Sequence, residues 1–164
     1  MKRLRWLVIG ILVIVTCWIG INVYKYSQPP QVIFGADTAA EEGTILWYLK
    51  YHNYKLERKS TYPILFGFRQ DMFTLHHIAV PSDILVNPTA VAVPRESTLG
   101  VIPESSGAVS VNNVTVSINW MPEVLQMRIE VPGFGYGVFH INEQGNLKVV
   151  DQGDIGIQTP PANR

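Results

Sequence analysis

The chain has 164 residues, with 13 basic and 13 acidic side chains and one cysteine. This even balance argues against nucleic acid or an anionic surface as the main partner, and a lone cysteine excludes an internal disulfide. The length is enough for one ordinary domain beside a membrane segment and too short for two.

Met1-Lys2-Arg3-Leu4-Arg5 opens the chain, and an uncharged apolar run of 19 residues follows from Trp6 to Tyr24. At about 1.5 Å per residue the run covers roughly 28 Å, close to the hydrocarbon thickness of a bilayer. It predicts a transmembrane helix through which the chain meets the membrane. A cleaved secretory peptide has a shorter apolar core and small residues at its cleavage site. Here the run continues through Trp18, Ile19, Ile21 and Val23 into Lys25-Tyr26-Ser27-Gln28-Pro29-Pro30, so a retained anchor is expected. Trp6, Tyr24 and Tyr26 stand where interfacial aromatics belong. Lys2, Arg3 and Arg5 precede the run, while only Lys25 follows closely. Positive charge stays on the cytoplasmic side, so the amino terminus is expected inside the cell membrane and the rest outside. Cys17 reads as a small apolar side chain within the run rather than as a lipid attachment site, and Asn22 reads as interfacial.

Beyond residue 24 there remain ten basic and 13 acidic residues, a net charge of −3, and no cysteine. The segmentation expected is a cytoplasmic tip and anchor over 1–24, a stiff stalk over 25–34 containing Pro29-Pro30, a β-rich extracytoplasmic domain over 35–151, and a flexible tail over 152–164.

One helix is predicted after the stalk, over about Thr38 to Tyr51. Asp37 or Thr38 would cap it, Thr38-Ala39-Ala40-Glu41 fits a capping box, and Asn53 would stop it. Ile45, Leu46, Leu49 and Tyr48 supply its apolar stripe. Strands are expected thereafter at Tyr54–Lys59, Pro63–Arg69, Phe73–Val80, Ile84–Val86 with Thr89–Val93, and Val109–Val111. The alternation is clearest at Val114, Val116, Ile118 and Trp120, and again at Leu125, Met127, Ile129 and Val131, with Met121-Pro122-Glu123 between the two runs. A further hairpin is expected over Gly137–Val150, turning at Asn142 to Asn146. The apolar phase changes across Asn112-Asn113, which requires a turn or a bulge there. The fold class is thus α+β and mostly β: an amino-terminal transmembrane helix, then one helix packed on an antiparallel sheet or small sandwich.

Candidate chemistry is sparse. His76-His77 invites a metal or base role, with Asp71 nearby and His52 and His140 elsewhere, but neighbours in a strand point to opposite faces and the spacing fits no zinc pattern. Ser105-Ser106-Gly107 lacks the framing of a nucleophile elbow. No catalytic residue, metal or cofactor is therefore expected. Gly133-Phe134-Gly135-Tyr136-Gly137 lacks the order of a dinucleotide loop. If it is extended, its glycines share one face and Phe134 and Tyr136 the other, so either Trp120 or Trp47 covers the glycines or an extended ligand does. Asn113-Val114-Thr115 fits a glycosylation sequon, which carries weight only in a eukaryotic source.

Three readings of function follow. The leading one is a membrane-anchored, non-catalytic interaction module contacting another envelope or membrane protein. The second is an anchored hydrolase or metal-dependent enzyme using His76 or His77. The third is a glycan- or peptide-binding domain using Trp120, Phe134 and Tyr136.

Overall fold

The computed structural model describes residues 2–26, 29–61, 69–79, 84–97, 100–101, 105–121 and 124–154. The strand expected over 63–68, the Pro122-Glu123 part of one turn and the tail from 155 lie outside these residues. The described chain is mostly β, with two antiparallel sheets and two helices.

Helix α1 runs Lys2–Tyr26. Its large apolar side chains from Trp6 to Ile21, and Tyr24, are exposed all round, between 47% and 74%. Side chains are described over 5–21, which is 17 consecutive residues, and at Tyr24. Among the described residues, no helix is long and apolar enough to cross a membrane.

The first sheet has the order β1 (Gln31–Phe34), β2 (Tyr54–Thr61), β3 (Arg69–Ala79), β4 (Ile84–Ser97) and the two-residue β5 (Gly100–Val101). The expected stalk is therefore shorter than 25–34. Gln31 to Phe34 pair with Arg58 to Leu56, and Ile33 and Phe34 are buried, so β1 belongs to the domain. Two apolar side chains in four residues gained more from burial than a solvated stalk could offer. β4 also runs unbroken through Pro88, where two separate strands were expected. A register shift between Leu75 and His77 sets the proline at a bulge, the usual place for a residue that donates no ladder hydrogen bond.

The second sheet has the order β10 (Leu147–Gly153), β9 (Gly135–Ile141), β8 (Leu125–Val131), β7 (Val114–Trp120) and β6 (Ser105–Val111). Residues 152 and 153, assigned to the tail, are thus part of strand β10. The phase change at Asn112-Asn113 is a two-residue hairpin: Val111 pairs with Val114, and Asn112 adopts φ 53°. Asparagine tolerates that left-handed conformation better than most residues.

Helix α2 covers Ile45–Tyr51 and not Thr38–Tyr51. Gly43 at φ 82° breaks any right-handed helix ahead of it, and Thr44 becomes the N-cap, accepting from Trp47 N at 3.3 Å. Thr38 instead closes a turn by accepting from Gly35 N at 2.8 Å. Asn53, at φ 56°, ends the helix as its position suggested.

The two sheets face each other and share one core. Leu56, Phe73, Leu75 and Val93 from the first meet Val109, Val116, Ile118, Met127, Ile129 and Phe139 from the second. β4 lies over β6, with Thr89 Oγ1 donating to Ser110 O at 3.0 Å, and a Cβ at Gly107 would strike Val91. Helix α2 closes the core beside β2 and β9 through Ile45 and Leu49. A Cβ at Gly137 would stand 2.6 Å from Ile45 Cγ2 and 2.7 Å from the Phe139 ring. Glycine at 137 therefore permits the close approach of helix and strand; Ile45 and Phe139 meet Gly137 and the Gly153 backbone meets Gly135, so neither Trp47 nor Trp120 is what a side chain at these two positions would strike.

The register fixes two ends. At one lie Gln31, Thr61, Arg69, Ser97, Gly100, Ser105, Trp120, Leu125 and the β9–β10 turn; at the other lie Phe34, Tyr54, Ala79, Ile84, Asn112, Val131, Gly135 and Gly153. They are called the Gln31 end and the Asn112 end below.

Candidate functional site

The three aromatic residues singled out from the sequence do not form one platform. Trp120 is in phase with Val114, Val116 and Ile118, so it faces the core at the Gln31 end, where it is partly buried. Tyr136 is out of phase with buried Gly135, Gly137 and Phe139, so it faces outward at the Asn112 end. Trp120 pairs with Leu125 and Tyr136 with Glu130, five residues further along β8, or roughly 17 Å. Only Phe134 and Tyr136 come together.

Those two line a cleft of about 240 Å³ at the Asn112 end, together with Gly43, Thr44, Ile45, Gly135, Gln152, Gly153 and Asp154. Phe134 packs on Tyr48 with ring centroids 4.5 Å apart, which ties the β8–β9 turn to α2. The Tyr136 hydroxyl donates to Asp151 Oδ2 at 3.1 Å, and the Arg128 guanidinium stacks 4.7 Å above its ring. The bond to the Asp151 carboxylate raises the phenol above its usual range, chiefly because it would be lost and repelled on ionisation. Tyr136 is thus held neutral and its ring fixed. The cleft offers backbone, hydroxyl, amide and carboxylate groups beside one aromatic wall. Among the described lining residues, no nucleophile is paired with a base.

Trp120 belongs to a different cluster. Arg95 stacks 4.5 Å over its ring and bonds Glu143, while Arg58 Nη2 donates to Glu143 O at 2.9 Å. Arg58 Nε lies 3.9 Å from Asp71 Oδ2, and Ser60 Oγ donates to Asp71 Oδ1 at 2.7 Å. Asp71 is fully buried and Arg58 nearly so. The cluster fastens the β9–β10 turn of one sheet onto β2, β3 and β4 of the other. The cluster was not among the candidates singled out from the sequence, yet its signal is there: Arg58 is in phase with Tyr54 and Leu56, and Asp71 with Phe73 and Leu75, so alternation alone sends both charges to the core face.

His76 and His77 do point to opposite faces of β3. His77 is in phase with the core; it stacks on Tyr54 at 4.7 Å, and its Nδ1 lies 3.1 Å from Asn112 Nδ2. His76 is on the outer face, its Nε2 3.1 Å from Glu57 Oε2, with Lys55 Nζ 2.6 Å from Glu57 Oε1. Burial pushes the Glu57 carboxyl upward, but Lys55 and His76 outweigh it and hold it below the usual glutamate range. Neither His76 nor Glu57 lines the cleft. Among the described residues, no group of three or more His, Cys, Asp or Glu is placed to hold a metal ion.

Comparisons of the chain with protein-family models, with curated proteins and with solved structures return no match. The fold defines a two-sheet antiparallel β domain behind an exposed apolar helix.

Proposed function

We propose that this protein is a membrane-anchored, non-catalytic interaction module, held by α1 with its β domain outside the cytoplasm and contacting another envelope or membrane protein. The observation that carries the proposal is the surface of α1. An apolar helix exposed on every side is stable only in lipid or inside another protein. The whole helix is 25 residues, about 37 Å at 1.5 Å per residue, against roughly 30 Å of hydrocarbon. Lys2, Arg3 and Arg5 at its start favour an internal amino terminus. An interaction role is supported by the chemistry of the described residues: the buried charges Arg58 and Asp71 are engaged with each other, and no base is paired with a nucleophile among the described residues that line the cleft.

The test is fractionation of cells expressing the full chain, with alkaline carbonate washing and external protease. The expected result is a carbonate-resistant protein whose domain is degraded in spheroplasts. Release by carbonate, or protection of the domain, refutes the reading.

A second reading is favoured by the cleft itself: a glycan or an extended peptide seated against Phe134 and Tyr136. Tyr136→Ala should then abolish binding of such a ligand while leaving the unfolding midpoint nearly unchanged, because the Tyr136 side chain faces outward.

A further inference from the structure

The point at which α1 joins the domain fixes which end of the sandwich meets the bilayer. α1 ends at Tyr26 and β1 starts at Gln31. Five Cα steps cover at most about 18 Å. The Gln31 end is thus tethered close to the helix exit, while the Asn112 end is a strand length away. From Met121 back to Asn113 along β7 that is roughly 26 Å.

The two ends differ in chemistry as well as in place. At the Gln31 end the charges of Arg58, Asp71, Arg95 and Glu143 are tied to one another across the sheets. Met121 stands 40% exposed there. At the Asn112 end, exposed Glu41, Glu42 and Asp154 surround the cleft or precede it, and Asp151 lies beside Tyr136. Anionic headgroups disfavour such a carboxylate-rich end, whereas at the Gln31 end exposed Lys148 and half-buried Lys59 stand beside the tied charges.

Resting on the anchor reading above, we infer that the domain stands on its Gln31 end, which contacts the headgroup layer of the membrane that holds α1. The partner of this surface is lipid. The cleft of Gly43, Thr44, Phe134 and Tyr136 then opens away from the bilayer, toward whatever soluble or envelope-borne partner the protein takes.

Single-cysteine variants of the full chain test this in phosphatidylcholine–phosphatidylglycerol vesicles. Cys17→Ser removes the native thiol, and Met121→Cys or Asn113→Cys supplies an exposed site at either end. Each protein is reconstituted and labelled with a fluorophore, then challenged with a lipid carrying a nitroxide on its headgroup. The label at 121 should be quenched several-fold more strongly than the label at 113. Equal quenching, or stronger quenching at 113, overturns the orientation while the vesicles still carry the protein. Failure of the chain to float with vesicles overturns the anchor reading, and the inference with it. Both variants alter exposed positions, and unchanged circular dichroism midpoints confirm that the comparison is between folded proteins.

Discussion

Replacing Asp71 by alanine should be among the most damaging single changes in the β domain. Its carboxylate is fully buried, 3.9 Å from Arg58 Nε, and accepts from Ser60 at 2.7 Å. Arg58 is only 6% exposed, so loss of the carboxylate removes a counter-charge from a guanidinium in the core. Removing one partner of a buried pair costs about 3–5 kcal/mol. With a urea slope of about 2 kcal/mol per molar, the midpoint should fall by roughly 2 M. The assay is urea unfolding of the full chain in mild detergent, followed by near-ultraviolet circular dichroism so that α1 contributes little. A cycle with Arg58→Met completes it. If the pair acts as a unit, the double variant loses less than the sum of the singles, by about 0.5–3 kcal/mol. A loss below about 1 kcal/mol for Asp71→Ala, or strict additivity, would refute the claim that this ion pair couples β2 and β3 inside the core.

Gly137→Ala should destabilise by about 1–3 kcal/mol, since its new methyl would overlap Ile45 and Phe139; an unmoved urea midpoint would show that α2 does not pack on β9 there. Trp120→Ala should cost about 3 kcal/mol, the lower part of the range for a large aromatic, because the ring is only partly buried at the sandwich end; no loss in the same assay would place the ring on the surface. Glu57 is held below its ordinary pKa, so the stability it contributes is present above that ordinary value and is lost as the pH falls through its folded value. Glu57→Gln should therefore lower stability slightly at neutral pH, by about 1 kcal/mol or less for a pair on the outer face of the sheet, and the gap in thermal midpoint to the parent should close in acid. A gap that widens in acid contradicts the sign. The Tyr136 phenol should titrate above the ordinary tyrosine range and move down in Asp151→Asn, read from phenolate absorbance; an unshifted curve would show that their hydrogen bond does not persist in solution.

The features that a run of neighbouring residues decides were readable in the sequence. The apolar period of two laid out β7 and β8, the phase change across Asn112-Asn113 required the hairpin between β6 and β7, and Asn53 marked the end of α2. Each of these depends on side-chain direction and backbone preference within a few residues. The adjacency argument also sent His76 and His77 to opposite faces. Where distant segments had to meet, the sequence was silent. Gln31 to Phe34 read as a stalk until β2 offered it a ladder, and Pro88 read as a break until the bulge against β3 absorbed it. Trp120, Phe134 and Tyr136 looked like one aromatic surface on paper. The register instead put Trp120 under Arg95 at the Gln31 end and left Phe134 and Tyr136 in a cleft at the other. Local periodicity says which way a side chain points, but only strand pairing and sheet-on-sheet packing say what it points at.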